Sequence, residues 1–200
     1  FTNVQAALDA ATNGDDEIYV AGGLYPVTNE LTWSRSGVSN LGGYEGAGTP
    51  GSTDPGTWPS ILARPSSTNN VTTNRIMSVS GVSGGILSRI TIASGLTVTN
   101  GIALHGGGLL VSNCASLLID TCVFTNNQAY LPYVNGGDCL GGALYIQNSM
   151  VQLLNSRIVS NRATTVSTSN IQNGNGGGLA MGSGTLTVSN CLFAANFTSG

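Results

Sequence analysis

Three observations predict an all-β chain coiled as a right-handed parallel β-helix, a solenoid, with a short N-terminal capping α-helix. A Gly-Gly-x-Leu motif, GGGL at 106–109, GGAL at 141–144 and GGGL at 176–179, recurs about every 35 residues. Apolar and polar residues alternate with period two in short runs, which is strand rather than helix patterning. Gly, Ser and Asn fill the gaps between those runs, as tight or left-handed corners require.

The elements follow in order within one domain of three parts: 1–16 as N-terminal cap, 17–105 as irregular coils and 106–200 as three regular repeats. VQAALDAAT (4–12) reads as a short amphipathic helix with Val4, Ala7, Leu8 and Ala11 on one face. It is expected to cover the open end of the core, because stacked repeats need a polar cap. NGDDEIYVAGGLYPV then enters a strand with Ile18 and Val20 inward, and LTWSRSGVSNLGGYEG (31–46) supplies two more. Residues 47–60 form a Pro/Gly loop, and 61–63, 75–79 and 86–101 continue the coils. In the repeats, Leu109/Val111, Leu117/Ile119 and Cys122/Phe124 give three short strands per unit of about 20 to 25 residues. That unit implies about seven coils and a length of about 34 Å. Leu117, Val151 and Leu186 share one column; Ile119, Leu153 and Val188 share the next; Phe124, Ile158 and Phe193 share a third. Asn127, Asn161 and Asn196 close each unit and are expected to form an amide ladder at one corner. The chain stops at NFTSG directly after a unit, so it is expected to be a segment of a longer one.

Composition removes several function classes. Charged residues are 8% of the 200, against roughly 25% in an average soluble domain. All six basic residues are Arg. A net charge of −3 with a pI of 4.8, and no basic cluster, argues against nucleic acid or an anionic membrane as partner. Hydrophobic content of 40% argues against disorder. No run approaches the roughly 20 apolar residues of a membrane span, so no membrane insertion is expected. The opening FTNVQAALDA lacks the basic and apolar regions of a signal peptide.

The pairing of GGA[ILV] with FxxN resembles the repeats of the polymorphic outer-membrane proteins, a family of bacterial surface autotransporters. GGAL at 141–144 matches the first motif outright, and the two GGGL copies differ by Gly for Ala. FTNN from Phe124 and FAAN from Phe193 match the second, while IVSN departs from it at Ile158. The opening VQAALDAATNGDDEIYVAGGLYPV, and SGVSNLGGYEG followed by PSILA, resemble the entry segment of right-handed β-helices of the pectin-lyase-like superfamily. The resemblance implies that fold and an extracellular or bacterial cell-surface location. It implies no single activity, since the fold hosts lyases, hydrolases, adhesins and tailspikes.

Chemistry-bearing residues are sparse. The nine acids are scattered: Asp9 on the opening helix, Asp15, Asp16 and Glu17 at its exit, Glu30, Glu45 and Asp54 in the irregular half, Asp120 and Asp138 in the repeats. Asp120 shares its column with Leu154 and Ser189, so no carboxylate ladder forms. A polysaccharide lyase or hydrolase would need Glu30, Glu45 and Asp54 to converge. The run at 15–17 is the place where Ca²⁺ would find oxygen ligands, but a solvated turn explains it as well. His105 is the only imidazole, so no His-based metal site or triad is expected. Cys114, Cys122, Cys139 and Cys191 lack CxxC spacing; Cys122 and Cys191 read as buried apolar fillers, with the redox state of all four left open. Asn-X-Thr triplets at Asn70 and Asn196 are expected by chance in so Asn/Thr-rich a chain. What stands out is a pair of inserted loops on one flank, QAYLPYVNGGDCL and RATTVSTSNIQNGN. The first offers Tyr130, Tyr133 and Asp138 for packing on a sugar or protein. The expected protein is thus non-catalytic, without metal or cofactor, and adhesin-like or part of a surface coat. Its partners would be a glycan or protein of a host or neighbouring cell, or copies of itself in an extracellular filament.

Overall fold

A computed structural model describes residues 3–65, 74–98, 105–132, 138–165 and 174–199. Helix α1 (Val4–Ala10) is N-capped by Asn3, whose Oδ1 accepts from Ala6 N–H at 2.8 Å. The chain then winds through β1 (Glu17–Ala21), β2 (Gly23–Pro26), β3 (Leu31–Trp33), β4 (Ser39–Tyr44) and β5 (Ser60–Ala63). A first full turn follows in β6 (Met77–Ser80), β7 (Gly85–Ser88), β8 (Ile90–Ala93) and β9 (Leu96–Val98). The second comprises β10 (Leu109–Ser112), β11 (Leu117–Asp120), β12 (Val123–Thr125) and β13 (Gln128–Leu131). After β14 (Cys139–Leu140), the third has β15 (Leu144–Gln147), β16 (Ser149–Leu154), β17 (Arg157–Val159) and β18 (Arg162–Thr165). After β19 (Gly174–Asn175), the fourth has β20 (Leu179–Met181), β21 (Gly184–Ser189), β22 (Leu192–Ala194) and β23 (Phe197–Ser199).

Corresponding strands stack in parallel. The sheets are β1-β4-β7-β11-β16-β21, β2-β5-β8-β12-β17-β22, β3-β6-β10-β15-β20 and β9-β13-β18-β23. This is a parallel β-solenoid of about four full turns, preceded by partial ones. The expected columns pair in register: Leu117↔Val151↔Leu186, Ile119↔Leu153↔Val188 and Phe124↔Ile158↔Phe193. These columns set apolar residue on apolar residue along the axis, and they join in one core that runs from Val4 to Ile158.

α1 buries Val4, Ala7 and Leu8, with Ala11 just beyond it, and packs on β3 and β1. Gln5 extends the cap onto the strand edge. Its Oε1 accepts from Thr32 N–H at 2.8 Å and its Nε2 donates to Thr32 C=O at 3.2 Å, so one amide replaces a neighbouring strand.

Two expectations change. Each full turn holds four strands over about 35 residues, not three over 20 to 25, so the longest sheets are six strands deep rather than seven coils. The missed strand is β13 and its equivalents, read in the sequence as the start of the inserted loops. Its first inward residue is small in every turn, Thr97, Ala129, Ala163 and Thr198, because glycine backbone closes directly on it; only β13 adds a large one, Leu131, among the described residues. Small inward residues leave almost no period-two hydrophobic signal.

The corners explain the motifs. At three of them a left-handed residue precedes an inward one: Asn126, Ser160 and Ala195; Thr121, Asn155 and Asn190; Asn113 and Asn148. The inward residue then accepts a backbone N–H from the turn before. Asn161 Oδ1 takes Asn127 N–H, Ser156 Oγ takes Cys122 N–H and Ser149 Oγ takes Cys114 N–H, each at 3.0 Å. The fourth corner is the Gly-Gly motif, with φ of 68°, 66° and 63° at Gly106, Gly141 and Gly176. A Cβ on Gly142 would strike the carbonyls of Gly177 and Arg162. One on Gly108 would lie 2.9 Å from Asn127 Cγ. The Gly-Gly motif and the FxxN motif are therefore two halves of one contact across the coil.

Candidate functional site

The flank singled out by the sequence is more ordered than a pair of loops. Tyr130 sits half-buried on β13, in register with Val98 and Thr164, rather than exposed at a loop tip. Tyr133 lies outside the described residues, as do 134–137, 166–173 and Asn70. Asp138 is exposed and acts electrostatically on Cys139 and His105. β14 and β19 pair in parallel over this flank, and Cys139 packs there with Ala129, Leu131 and Ala163. His105 Nδ1 accepts from Leu140 N–H at 3.2 Å, and its ring lies 4.5 Å from that of Tyr145. Burial first, and then the Arg75 charge, hold its pKa below the usual histidine range. Arg75 donates to His105 C=O, Gly106 C=O and Glu30 Oε1 at 2.7, 3.0 and 3.0 Å.

The acids are engaged locally. Glu30 pairs with Arg75; Glu45 accepts from Ser52 N–H at 3.1 Å; Asp54 accepts from Gly56 N–H and Thr57 Oγ1 at 2.9 and 2.7 Å. Asp16 Oδ2 takes both the N–H and the hydroxyl of Thr12, which lowers its pKa. Asp120 Oδ1 accepts from Asn155 Nδ2 at 2.7 Å, starting an outer ladder that Asn190 continues at 2.8 Å. Among the described residues no three His, Cys, Asp or Glu side chains are grouped to hold a metal ion.

The four cysteines carry free thiols. Cys122, Ser156 and Cys191 form one corner column, and burial pushes Cys122 up to about 12. Asn196 uses its Nδ2 on Ile158 C=O and its Oδ1 on Asn161, so its amide is part of the ladder.

The concave feature that sequence reading missed lies at the capped end. A cavity of about 500 Å³ opens between α1, β1 and residues 46–50, lined by Asn3, Glu17, Tyr19, Tyr25, Tyr44 and Pro50 among others. Tyr19 is 42% exposed and meets Tyr44 edge to face, with centroids 5.0 Å apart. The Arg89 guanidinium backs Tyr44, 5.3 Å from its ring centre, and donates to its hydroxyl at 3.2 Å. Tyr25 donates to Ala21 C=O at 3.0 Å, and Tyr19 donates to Glu17. Three of the six tyrosines thus meet at one end, although 25 residues of chain separate Tyr19 from Tyr44. Only the β1/β4 register, with its irregularity between Tyr19 and Ala21, brings them together. No known protein family, no curated protein and no solved structure matches the chain.

Proposed function

We propose that the chain is a non-catalytic β-helix of the extracellular space or bacterial cell surface, adhesin-like or part of a surface coat, that meets a glycan or protein on a host or neighbouring cell. The observation that carries this reading is the engagement of the acids. Glu30, Glu45 and Asp54, which a lyase or hydrolase would need together, each serve a separate structural contact. The solenoid around them is braced by in-register ladders and carries little charge, which suits a stiff support for a recognition surface. Membership of the pectin-lyase-like superfamily with polymorphic outer-membrane type repeats belongs to the same proposal and rests on GGAL at 141–144, FTNN and FAAN.

The test is saturable binding of the labelled chain to intact bacterial and epithelial cells, beside incubation with a polysaccharide panel. Binding without release of reducing or unsaturated ends is expected. Product formation that disappears in Glu30→Gln/Glu45→Gln/Asp54→Asn would replace this reading with an enzymatic one.

A further inference from the structure

From the end cavity we infer that this β-helix binds a linear neutral oligosaccharide across its capped end, with Tyr19 and Tyr25 stacking on pyranose faces and the buried Tyr44 backing Tyr19. This deepens the adhesin-like reading and rests on it. Four features of the cavity specify the ligand.

The first is shape. The tyrosine cavity shares Asn3, Val4 and Tyr25 with a second cleft of about 340 Å³ that runs on past Thr28 to Glu30. The two make one groove with Tyr25 at the junction, suited to a chain of sugar units rather than a single ring. Each part is in the size range of small-molecule sites.

The second is surface chemistry. Aromatic rings offer flat apolar area to the C–H faces of a sugar, with their hydroxyls at the edge. Along the rest of the groove Asn3, Thr28 and Asn29 supply neutral donors and acceptors. Asn3 has its Oδ1 on Ala6 N–H, so its amide nitrogen is the group left to donate.

The third is charge. Glu17 and Glu30 are the only formal charges among the described residues that line the groove, and both are negative. Of the cations nearby, Arg75 is paired with Glu30 at 3.0 Å, and Arg89 is behind Tyr44 and bonded to its hydroxyl. Uronic acids and sulfated sugars would meet the like charge of Glu17, which no arginine pairs among the described contacts, while neutral sugars would find a carboxylate acceptor there.

The fourth is preorganisation. The rim at 46–50 is closed at its base by Glu45 N–H to Ser52 C=O at 3.0 Å, by Glu45 Oε1 on Ser52 N–H and by the Tyr44↔Thr53 bridge. Asp54 N–H reaches Gly43 C=O at 2.8 Å, and Gly43 N–H reaches Ser60 Oγ at 2.9 Å. A rim fixed before binding loses little freedom when a sugar docks.

The experiment titrates the intact 200-residue chain with cellohexaose, xylohexaose, maltohexaose and mannohexaose, and with hexagalacturonate as the anionic contrast. Binding is read by calorimetry and by saturation-transfer NMR. At least one neutral hexamer is expected to bind, hexagalacturonate at least tenfold more weakly, and the monosaccharides more weakly than their hexamers. Tyr19→Ala should reduce affinity at least tenfold. Tyr19→Phe, which keeps the ring and loses the Glu17 contact, should stay within about threefold, and Met150→Ala on a distant face should change nothing. Tyr19 is 42% exposed and outside the buried core, so these variants are expected to fold, which thermal unfolding checks. Neutral-sugar binding that survives Tyr19→Ala and is lost in Tyr130→Ala would move the site to the flank and overturn this inference while sparing the adhesin-like reading. Saturable cell binding by a chain that takes none of the hexamers would overturn it in the same way. Loss of cell binding altogether would instead sink the reading on which it rests.

Discussion

Asn127 makes three contacts at once: its Oδ1 accepts from buried Gly95 N–H at 2.9 Å, and its Nδ2 donates to Ile92 C=O and Asn161 Oδ1, both at 3.0 Å. Asn127→Ala therefore leaves a buried donor without an acceptor, which costs about 1–3 kcal/mol. Urea unfolding should show that loss, with a smaller one for Asn196→Ala in the less enclosed last turn. Asn40 is the opposite case. It is 1% exposed in the column between Ile18 and Leu87, and neither amide atom has a partner among the described residues. Asn40→Leu continues that apolar column and should raise stability by about 1–3 kcal/mol; an unchanged or lower urea midpoint would contradict this account. His105 adds a pH dependence. Its pKa is depressed in the fold by burial and Arg75, against the opposing charge of Asp138, so the unfolded chain binds the proton more readily. Stability is then full above about pH 6.5 and declines as the pH falls below it. Protonation of Nδ1 would also break the bond from Leu140 N–H. His105→Asn, which keeps an acceptor there, should flatten the lower part of the pH profile of the melting temperature.

At the scale of the element, the Gly-Gly corner and the strand after the Asn ladder depend on each other. Gly142 lies against the Gly177 and Arg162 carbonyls, so Gly142→Ala must push the third and fourth turns apart. A cost of about 3 kcal/mol is expected, at the upper end for overpacking. Ala143 already carries a Cβ in the next position, so Ala143→Gly should be far milder. The contrast between these two in thermal unfolding tests whether backbone approach, rather than glycine flexibility, sets the motif. The capping element is similarly specific. Gln5→Ala would uncover the Thr32 edge without touching the apolar face of α1.

For the whole molecule, the two ends differ. At one, α1 and Gln5 cover the first turn; at the other, β20 to β23 pair on one side only among the described residues. Phe197 is 54% exposed there, beside Phe193 and Leu192. The 200-residue polypeptide is expected to associate through this face. A helix over the opposite end blocks head-to-tail stacking, so a closed two-fold pair is expected rather than a filament. Sedimentation should show a concentration-dependent dimer, weakened by Leu192→Ser/Phe197→Ser. Open-ended polymers would show that α1 leaves its place.

Much of this was legible in the residues themselves. The helix face of Val4, Ala7 and Leu8, the columns through Leu117, Ile119 and Phe124, and the Asn127, Asn161 and Asn196 ladder all follow from periodicity. A solenoid places like on like at a fixed spacing, so local pattern and long-range contact coincide. The fourth strand was hidden, because Ala129 and Ala163 are small and carry no apolar alternation. The tyrosine groove was hidden for a different reason. Tyr19, Tyr25 and Tyr44 belong to irregular turns with no repeat to align them, and a one-residue shift in β1/β4 pairing would point Tyr44 elsewhere. Sequence alone determined the stacking of the core; the register of the irregular turns, fixed by tertiary packing, decided which side chains meet at its end.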